Sequence, residues 1–168
     1  MSTIDFNIRA AAIADWPEIK RIYEAGMHTG LATFETIAPS YEQWSDEQIS
    51  ACRMVIEANG ELLGFCKLSR VSKREVYQGV GEVSIYIDTS HSRKGIGQHL
   101  MHALIEASEQ QGFWTLEAKI FPENIASIRL HLKNGFREVG IRERIGKRDG
   151  IWRDNVLLER RSNVNGIH

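Results

Sequence analysis

Several things this chain has little of narrow what it can be. It has only two cysteines, Cys52 and Cys66. Neither stands at metal-ligand spacing, and both fall in segments that read as buried helix and strand. Free buried thiols are therefore expected, not a disulfide framework or a zinc module. No apolar run approaches the length that spans a bilayer. The start Met1-Ser2-Thr3-Ile4-Asp5 lacks a basic region followed by an apolar stretch, so no membrane partner is expected and the cytoplasm is the default location. Excess charge is also missing: the net formal charge is −1, so the molecule as a whole is not a polyanion binder, and any basic site must be local. The basic run Arg142-Glu143-Arg144 with Lys147-Arg148 is interrupted by acid and carries no nucleic-acid motif, so it reads as a solvated turn. His99 and His102 stand three apart on a helix with no third ligand in view. They are expected to face solvent, and no metal is implied. There is no Gly-x-x-x-x-Gly-Lys-Ser/Thr for a P-loop, and the third glycine of the dinucleotide fingerprint is absent.

What remains is a soluble globular composition, 42% hydrophobic and 26% charged over 168 residues, enough for one domain with an ordinary core. One stretch organises it. Val80 to Asp88 alternates and is rich in β-branched and aromatic residues, a strand pattern. From Ile96 the apolar positions fall at Ile96, Leu100, Ala103, Leu104 and Ala107, which is helical spacing. Between them lies the polar turn Arg93-Lys94-Gly95-Ile96-Gly97-Gln98. A strand that passes through such a turn into a helix leaves backbone N–H groups unpaired at the positive end of the helix dipole. That is a place for a phosphate-bearing ligand. A tight turn whose glycines only relieve strain is the competing reading.

Along the rest of the chain, Ile4, Phe6 and Ile8 alternate as a first strand. Asp15 reads as the cap of a helix with Pro17 in its first turn, Trp16, Ile19, Ile22 and Tyr23 on one face, and Gly26 at its end. Residues 28–36 have no clear period and read as a loop or short helix over a pocket. Ser40 and Gln43 form a capping box for a helix through Trp44, Ile49 and Cys52. Met54 to Ala58 and Leu62 to Ser69 are strands joined by Asn59-Gly60, a hairpin signal. After a polar loop, the central strand and its helix, Gly112 is a stop. Trp114, Leu116, Ala118 and Ile120 alternate as a strand. Pro122 and Asn124 open a helix carrying Ile128, Leu130 and Leu132, with Gly135 beyond its end. Two strands, Phe136 to Arg144 and Ile151 to Glu159, turn at Asp149-Gly150, and Ser162 to His168 reads as a loose tail. Trp16, Trp44, Trp114 and Trp152 fall at apolar-phase positions, so core or pocket wall is expected for each. The order is one α/β domain around a mixed sheet, without linker or repeat.

A second constellation runs from Asn124 to Phe136, Asn-Ile-Ala-Ser-Ile-Arg-Leu-His-Leu-Lys-Asn-Gly-Phe. Together with Arg93-Lys94-Gly95-Ile96-Gly97 after a strand, it resembles the GNAT superfamily of acetyl-CoA-dependent N-acetyltransferases. Ile8-Arg9, Ala11, Asp15, Ile19, Ile22-Tyr23, Ala32-Thr33-Phe34-Glu35 and Glu82 to Ile87 extend the likeness to the phosphinothricin/methionine sulfoximine acetyltransferase branch. The resemblance implies an α/β (α+β) fold, with a mixed and mostly antiparallel central sheet flanked by helices. A splayed strand pair in that sheet holds acetyl-CoA. It also implies direct attack of an amine on the thioester in a ternary complex.

For this chain the resemblance puts the pyrophosphate at the amides of Arg93 to Gln98, with Arg93 and Lys94 adding charge. Ile85, Tyr86 and Ile87 would pair with the pantetheine, Asn124 would touch it, and Lys133 would reach a phosphate. Glu82, in phase with Ser84 and Tyr86, would be the general base, directly or through water. A salt-bridged carboxylate or an ammonium anchor is the other reading. His131, seven residues after Asn124, would donate to the departing thiolate, unless it only bonds a neighbour within its helix. Phe34 and Glu35 in the early loop, with Arg74 and Tyr77 before the central strand, are candidates for the acceptor site. Ser92 stands where Gln or Arg is usual, and Ser127 where Ala is. The expected activity is acetylation of the primary amine of a small amino-acid-like molecule. Peptide or protein acetylation and a non-catalytic acyl-CoA sensor are the alternatives, and a homodimer is possible.

Overall fold

The computed structural model describes residues 4–46 and 49–168. Seven strands form one sheet: β1 (Asn7–Ala10), β2 (Met54–Ala58), β3 (Glu61–Arg70), β4 (Val80–Ile87), β5 (Thr115–Ile120), β6 (Arg137–Arg148) and β7 (Ile151–Arg161). Their order is β1-β2-β3-β4-β5-β7-β6. Every neighbouring pair is antiparallel except β4 and β5 at the centre. The sheet is the mixed, mostly antiparallel one expected. Among the described residues no helix is long and apolar enough to cross a membrane.

Side-chain alternation along the strands sends the two halves of the core to opposite faces. Helix α1 (Trp16–His28) repeats apolar residues at Ile19, Ile22, Tyr23 and Met27, a single stripe. That stripe packs with Trp44, Val55, Leu62 and Phe65 on one face, and Tyr86 joins them. Helix α3 (Ile96–Gln110) covers the other face with Leu100, Met101 and Leu104, all fully buried against Ile56, Cys66, Leu68 and Val83. Ile128 and Leu130 of helix α4 (Ile125–Lys133) extend that cluster. Burial pushes the Cys52 thiol up to about 11 and the Cys66 thiol to about 12. Both cysteines are free, buried and unreactive.

The local signals mostly hold. Asn59 and Gly60 both take positive φ in the β2–β3 turn. The Ser40–Gln43 box closes in both directions, Gln43 N–H to Ser40 Oγ at 3.2 Å and Ser40 N–H to Gln43 Oε1 at 3.0 Å. The helix it opens, α2 (Tyr41–Asp46), is shorter than expected. Residues 47 and 48 lie outside the described residues, and Ser50–Cys52 form a separate 3-10 turn.

Four expectations fail for physical reasons. Asp15 does not cap α1, because its carboxylate is taken by Arg9 at 2.8 Å and by the Ala12 N–H at 2.7 Å. Gly26 does not end α1 but lies inside it. A Cβ there would come 2.9 Å from the Tyr86 ring, so the glycine makes room for that aromatic. Trp152 is neither core nor pocket wall: it is 54% exposed, with Lys147 Nζ 4.8 Å from its ring. The tail is tied down rather than loose through Gly166. Ser162 Oγ bonds Glu109 and accepts from two backbone N–H groups, Asn165 donates to the Glu109 and Phe113 carbonyls, and Arg161 donates to Asn165 O and Gly166 O.

Asp88 fixes the end of β4. It is buried, binds Arg21 of α1 at 2.7 Å, and accepts from the Ser90 N–H and hydroxyl. Burial pushes its carboxyl up, but Arg21 and Ser90 together hold it below the ordinary carboxylate range. A depressed carboxyl stabilises the fold at pH values above its unfolded pKa and loses that contribution as pH falls through its folded value. Arg21→Met should therefore cost about 1–3 kcal/mol near neutrality, read as a lower urea midpoint. The gap from the parent should close as acid protonates Asp88. Equal midpoints at neutral pH would show that Asp88 does not need Arg21.

Candidate active site

Strands β4 and β5 pair over only three positions, Val80–Thr115, Gly81–Leu116 and Glu82–Glu117. Beyond Glu82, β4 keeps β3 as a partner through Ile87 but has no strand on its other side. Ala118 to Ile120 of β5 likewise pair only with β7. The gap so opened is a cavity of about 260 Å³. Its floor is Glu82 to Tyr86 and Ala118 to Phe121, and its roof is the early loop Leu31 to Glu35. Asn124, Ser127 and His131 of α4 and Asn155 of β7 close the sides. A strand edge that lacks a partner beside a cavity offers peptide groups to an extended ligand.

Where the two strands part, Glu82 binds Lys119 Nζ through Oε2 at 2.7 Å, and each side chain is about a third exposed. Glu82 and Ser84 share a face with Tyr86, as the alternation requires. The Tyr86 ring stacks on Phe65 at 5.1 Å and meets Tyr23 edge-on at 5.0 Å. Burial pushes both phenols up, and Thr33 and Glu35 of the early loop stand beside their hydroxyls. Both tyrosines are therefore neutral, Tyr86 in the wall and Tyr23 in the core behind it.

His131 is 4% exposed. Its Nδ1 lies 2.7 Å from the Ser127 carbonyl, which has no proton to give, so Nδ1 carries the hydrogen and Nε2 carries the lone pair. Burial pulls its pKa below 6.5, partly offset by that same bond. The ring is neutral near pH 7. Asn124 caps α4 by accepting from the Ser127 N–H at 3.3 Å, and its Nδ2 donates to Leu31 O at 3.1 Å, tying α4 to the early loop. Asn155 is buried, and its Oδ1 has no hydrogen-bond partner. An orphan acceptor in a cavity wall suits a ligand N–H.

The early loop, residues 29–40, forms no helix or strand but is held from several sides. Phe34 packs edge-on against Phe121 at 4.8 Å. The Arg153 guanidinium lies 4.0 Å over the far face of Phe121 and donates to Gly30 O at 3.2 Å. Arg148 donates to Met27 O at 2.6 Å.

The turn before α3 lies past the C-terminal end of β4. Arg93 and Gly95 take positive φ, at 66° and 76°, and Gly95 begins the helix with no side chain capping it. Arg93 and Lys94 are exposed, while the Ile96 side chain is buried, so only its backbone is available there. Gly97 lets α4 approach: a Cβ would come 3.1 Å from Leu130. The Gln98 side chain is already engaged in a reciprocal amide pair with Asn134, at 2.8 and 3.0 Å, and its N–H bonds Gly95 O. Gln98 joins two helices and is not a free donor. Lys133 is exposed on the last turn of α4.

The structure thus gathers Glu82, Ile85, Tyr86, Asn124, His131, Phe34 and Glu35 around one cavity. Arg74 and Tyr77 do not line it. Both are exposed on the loop before β4, where the guanidinium stacks 5.3 Å over the phenol. Sequence reasoning missed Lys119, Asn155, Phe121 and Arg153. Lys119 stood in the polar phase of β5, between Ala118 and Ile120, and only the strand order puts it opposite Glu82.

Comparison with known proteins agrees with this geometry. The acetyltransferase (GNAT) family profile matches residues 16–136. The L-methionine sulfoximine/L-methionine sulfone acetyltransferase of Pseudomonas aeruginosa is 30% identical over 159 residues, 91% of this chain and 92% of that protein. The phosphinothricin N-acetyltransferase of Alcaligenes faecalis is 30% identical over 168 residues, 94% and 83% of the two chains. The crystal structure of a phosphinothricin acetyltransferase from Sinorhizobium meliloti in complex with acetyl-CoA superposes with a TM-score of 0.86. It is 27% identical, with 97% of this chain and 91% of that one covered. The open strand edge, the uncapped glycine turn and the matching profile lead to one assignment: the chain belongs to the GNAT family of acetyltransferases.

Proposed function

We propose that the protein transfers the acetyl group of acetyl-CoA directly to the primary amine of a small amino-acid-like acceptor, of the phosphinothricin or methionine sulfoximine type. The observation that carries this reading is the gap between β4 and β5 with a carboxylate where the strands part. Pantetheine would lie along the free edge of Ile85 to Ile87. Its phosphates would meet the amides of the Arg93 to Gly97 turn, and the exposed Arg93, Lys94 and Lys133 would add charge. The acceptor would enter under Phe34 and Glu35.

In the reaction the ammonium gives a proton to Glu82, and the freed nitrogen lone pair attacks the thioester carbonyl carbon. The C–N bond forms, the nitrogen loses its second proton to solvent, and the C–S bond breaks; the thiolate takes up one proton from solvent to leave as coenzyme A, and Glu82 returns its proton to solvent. Lys119 holds one Glu82 oxygen in place and leaves the second oxygen free for use. The geometry of His131 argues against the thiolate-donor role expected for it. Its one proton is committed to Ser127 O, and burial opposes a second. Its Nε2 instead accepts a hydrogen from a ligand or water. A peptide acceptor is the weaker reading, because the early loop, pinned at Gly30 and Leu31, roofs the cavity. A sensor without turnover would have no use for Glu82 and Lys119 at the reacting end.

Thiol release from acetyl-CoA, measured against phosphinothricin, methionine sulfoximine, common amino acids, polyamines and N-terminal peptides, should show saturable turnover on the amino-acid-like class. Glu82→Gln should bind acetyl-CoA normally and lose about 100-fold or more in kcat. Unchanged kcat would remove Glu82 as the base. Nitrogen NMR of the histidines gives an independent check on His131. It should show the Nδ1–H tautomer at neutral pH and a midpoint below the ordinary imidazole value of 6.5. A midpoint above that value would restore the donor role.

A further inference from the structure

Among the described residues that line the cavity, Lys119 is the only lysine or arginine. The other charged side chains there are Glu35 and Glu82, and the remaining polar ones are neutral. Lys119 sits on the β5 wall, bonded to Glu82 on the β4 wall at 2.7 Å, with both groups partly open to the cavity. The arrangement leaves capacity unused on each partner. Only one Glu82 oxygen is engaged with Lys119, and an ammonium has three N–H donors.

We infer that Lys119 is the specificity-determining residue for the acceptor, binding the α-carboxylate of a free amino acid while Glu82 binds its ammonium. The inference rests on the acetyl-transfer reading above and narrows the acceptor class. An α-amino acid carries its two charges on neighbouring atoms of one carbon, in the order opposite to the Glu82–Lys119 pair. Laid against that pair it completes a ring of four alternating charges without breaking the existing bond. The ring has no net charge, so closing the cavity over it strands no ion.

A monoamine lacking the carboxylate would bring a second cation toward Lys119 and leave the free N–H donors of Lys119 without the anionic group they would bind. A peptide N-terminus has an amide where the amino acid has its carboxylate and meets the same penalty. A carboxylate without Lys119 would face Glu82 and Glu35 unopposed. The contact also supplies a carboxylate anchor inside the cavity, a place that Arg74, stacked on Tyr77 outside it, does not occupy.

The test compares three acceptors that differ only at this group: methionine sulfone, its α-carboxamide, and the amine left by decarboxylation, 3-(methylsulfonyl)propylamine. The parent protein should favour the acid in kcat/KM by about 10- to 100-fold, the range for one hydrogen bond to a charged group. Lys119→Met should bring the three within about threefold of one another, and Lys119→Arg should keep most of the preference. Weakened support of Glu82 acts on all three acceptors alike and cancels in the ratio. Binding of the same ligands to the protein holding coenzyme A, followed by calorimetry, reads the contact without turnover and should show the same ranking and the same collapse. No preference for the acid in the parent, or a preference that survives Lys119→Met, overturns the inference. An inactive parent protein that still ranks the ligands in this way would contradict the acetyl-transfer reading and leave the role of Lys119 intact.

Discussion

The structure depends on a ladder that stops early. Parallel pairing between β4 and β5 ends after three residues, and everything specific to the site follows from that interruption. A buried strand edge without a partner is costly unless something satisfies its peptide groups. The fold tolerates it because each strand is still paired on its outer side, β4 with β3 and β5 with β7. Helices α1 and α3 hold the sheet from its two faces with fully buried side chains. The same divergence leads β4 away from β5 and into the glycine turn that opens α3. One geometric event therefore sets out both the slot for an extended ligand and the anion-binding turn at its end.

The polar groups around the gap divide by state. Tyr23 and Tyr86 are held neutral by burial, His131 is held neutral with a defined tautomer, and Asn155 presents an unmet acceptor. Among the residues that line the cavity, charge lies on Glu82 and Lys119, bonded to each other where the strands part, and on Glu35 of the roof. A gap with a neutral strand edge and an ion pair at its closed end suits a ligand with a long neutral arm and a small charged acceptor. The early loop turns this slot into a chamber. Arg153 and Asn124 hold it by its own Gly30 and Leu31 carbonyls, and Arg148 holds the end of α1 just before it at Met27 O, so its position follows from the β6–β7 hairpin and α4 rather than from local propensity.

Much of this was legible in the residues. The change of period between Asp88 and Ile96 marks strand, turn and helix, and Asn124 before Ile128 and Leu130 marks the second helix of the site. The strand and helix order read from apolar spacing is the order observed, and Glu82 falls where its phase with Ser84 and Tyr86 puts it. What was hidden depends on long-range placement. Gly26 has the look of a helix stop until Tyr86 is known to lie against it. Asp15 has the look of a cap until Arg9 comes across from β1. Lys119 and Asn155 occupy unremarkable strand positions 37 and 73 residues from Glu82, and only the β4-β5-β7 order joins them. Trp152 followed the apolar phase of β7 into solvent, because the β6–β7 hairpin runs on past the core that the phase presumed.

The central claim is that the β4–β5 split is the acetyl-CoA slot. Amide hydrogen exchange, measured with and without acetyl-CoA, tests it without relying on turnover or on any acceptor. Binding should slow exchange at Ile85 to Ile87 and at Gly95 to Gly97, and should leave the paired segment Val80 to Glu82 and the outer strand β6 unchanged. Saturable binding that protects other segments while the β4 edge and the glycine turn exchange as before would contradict the account.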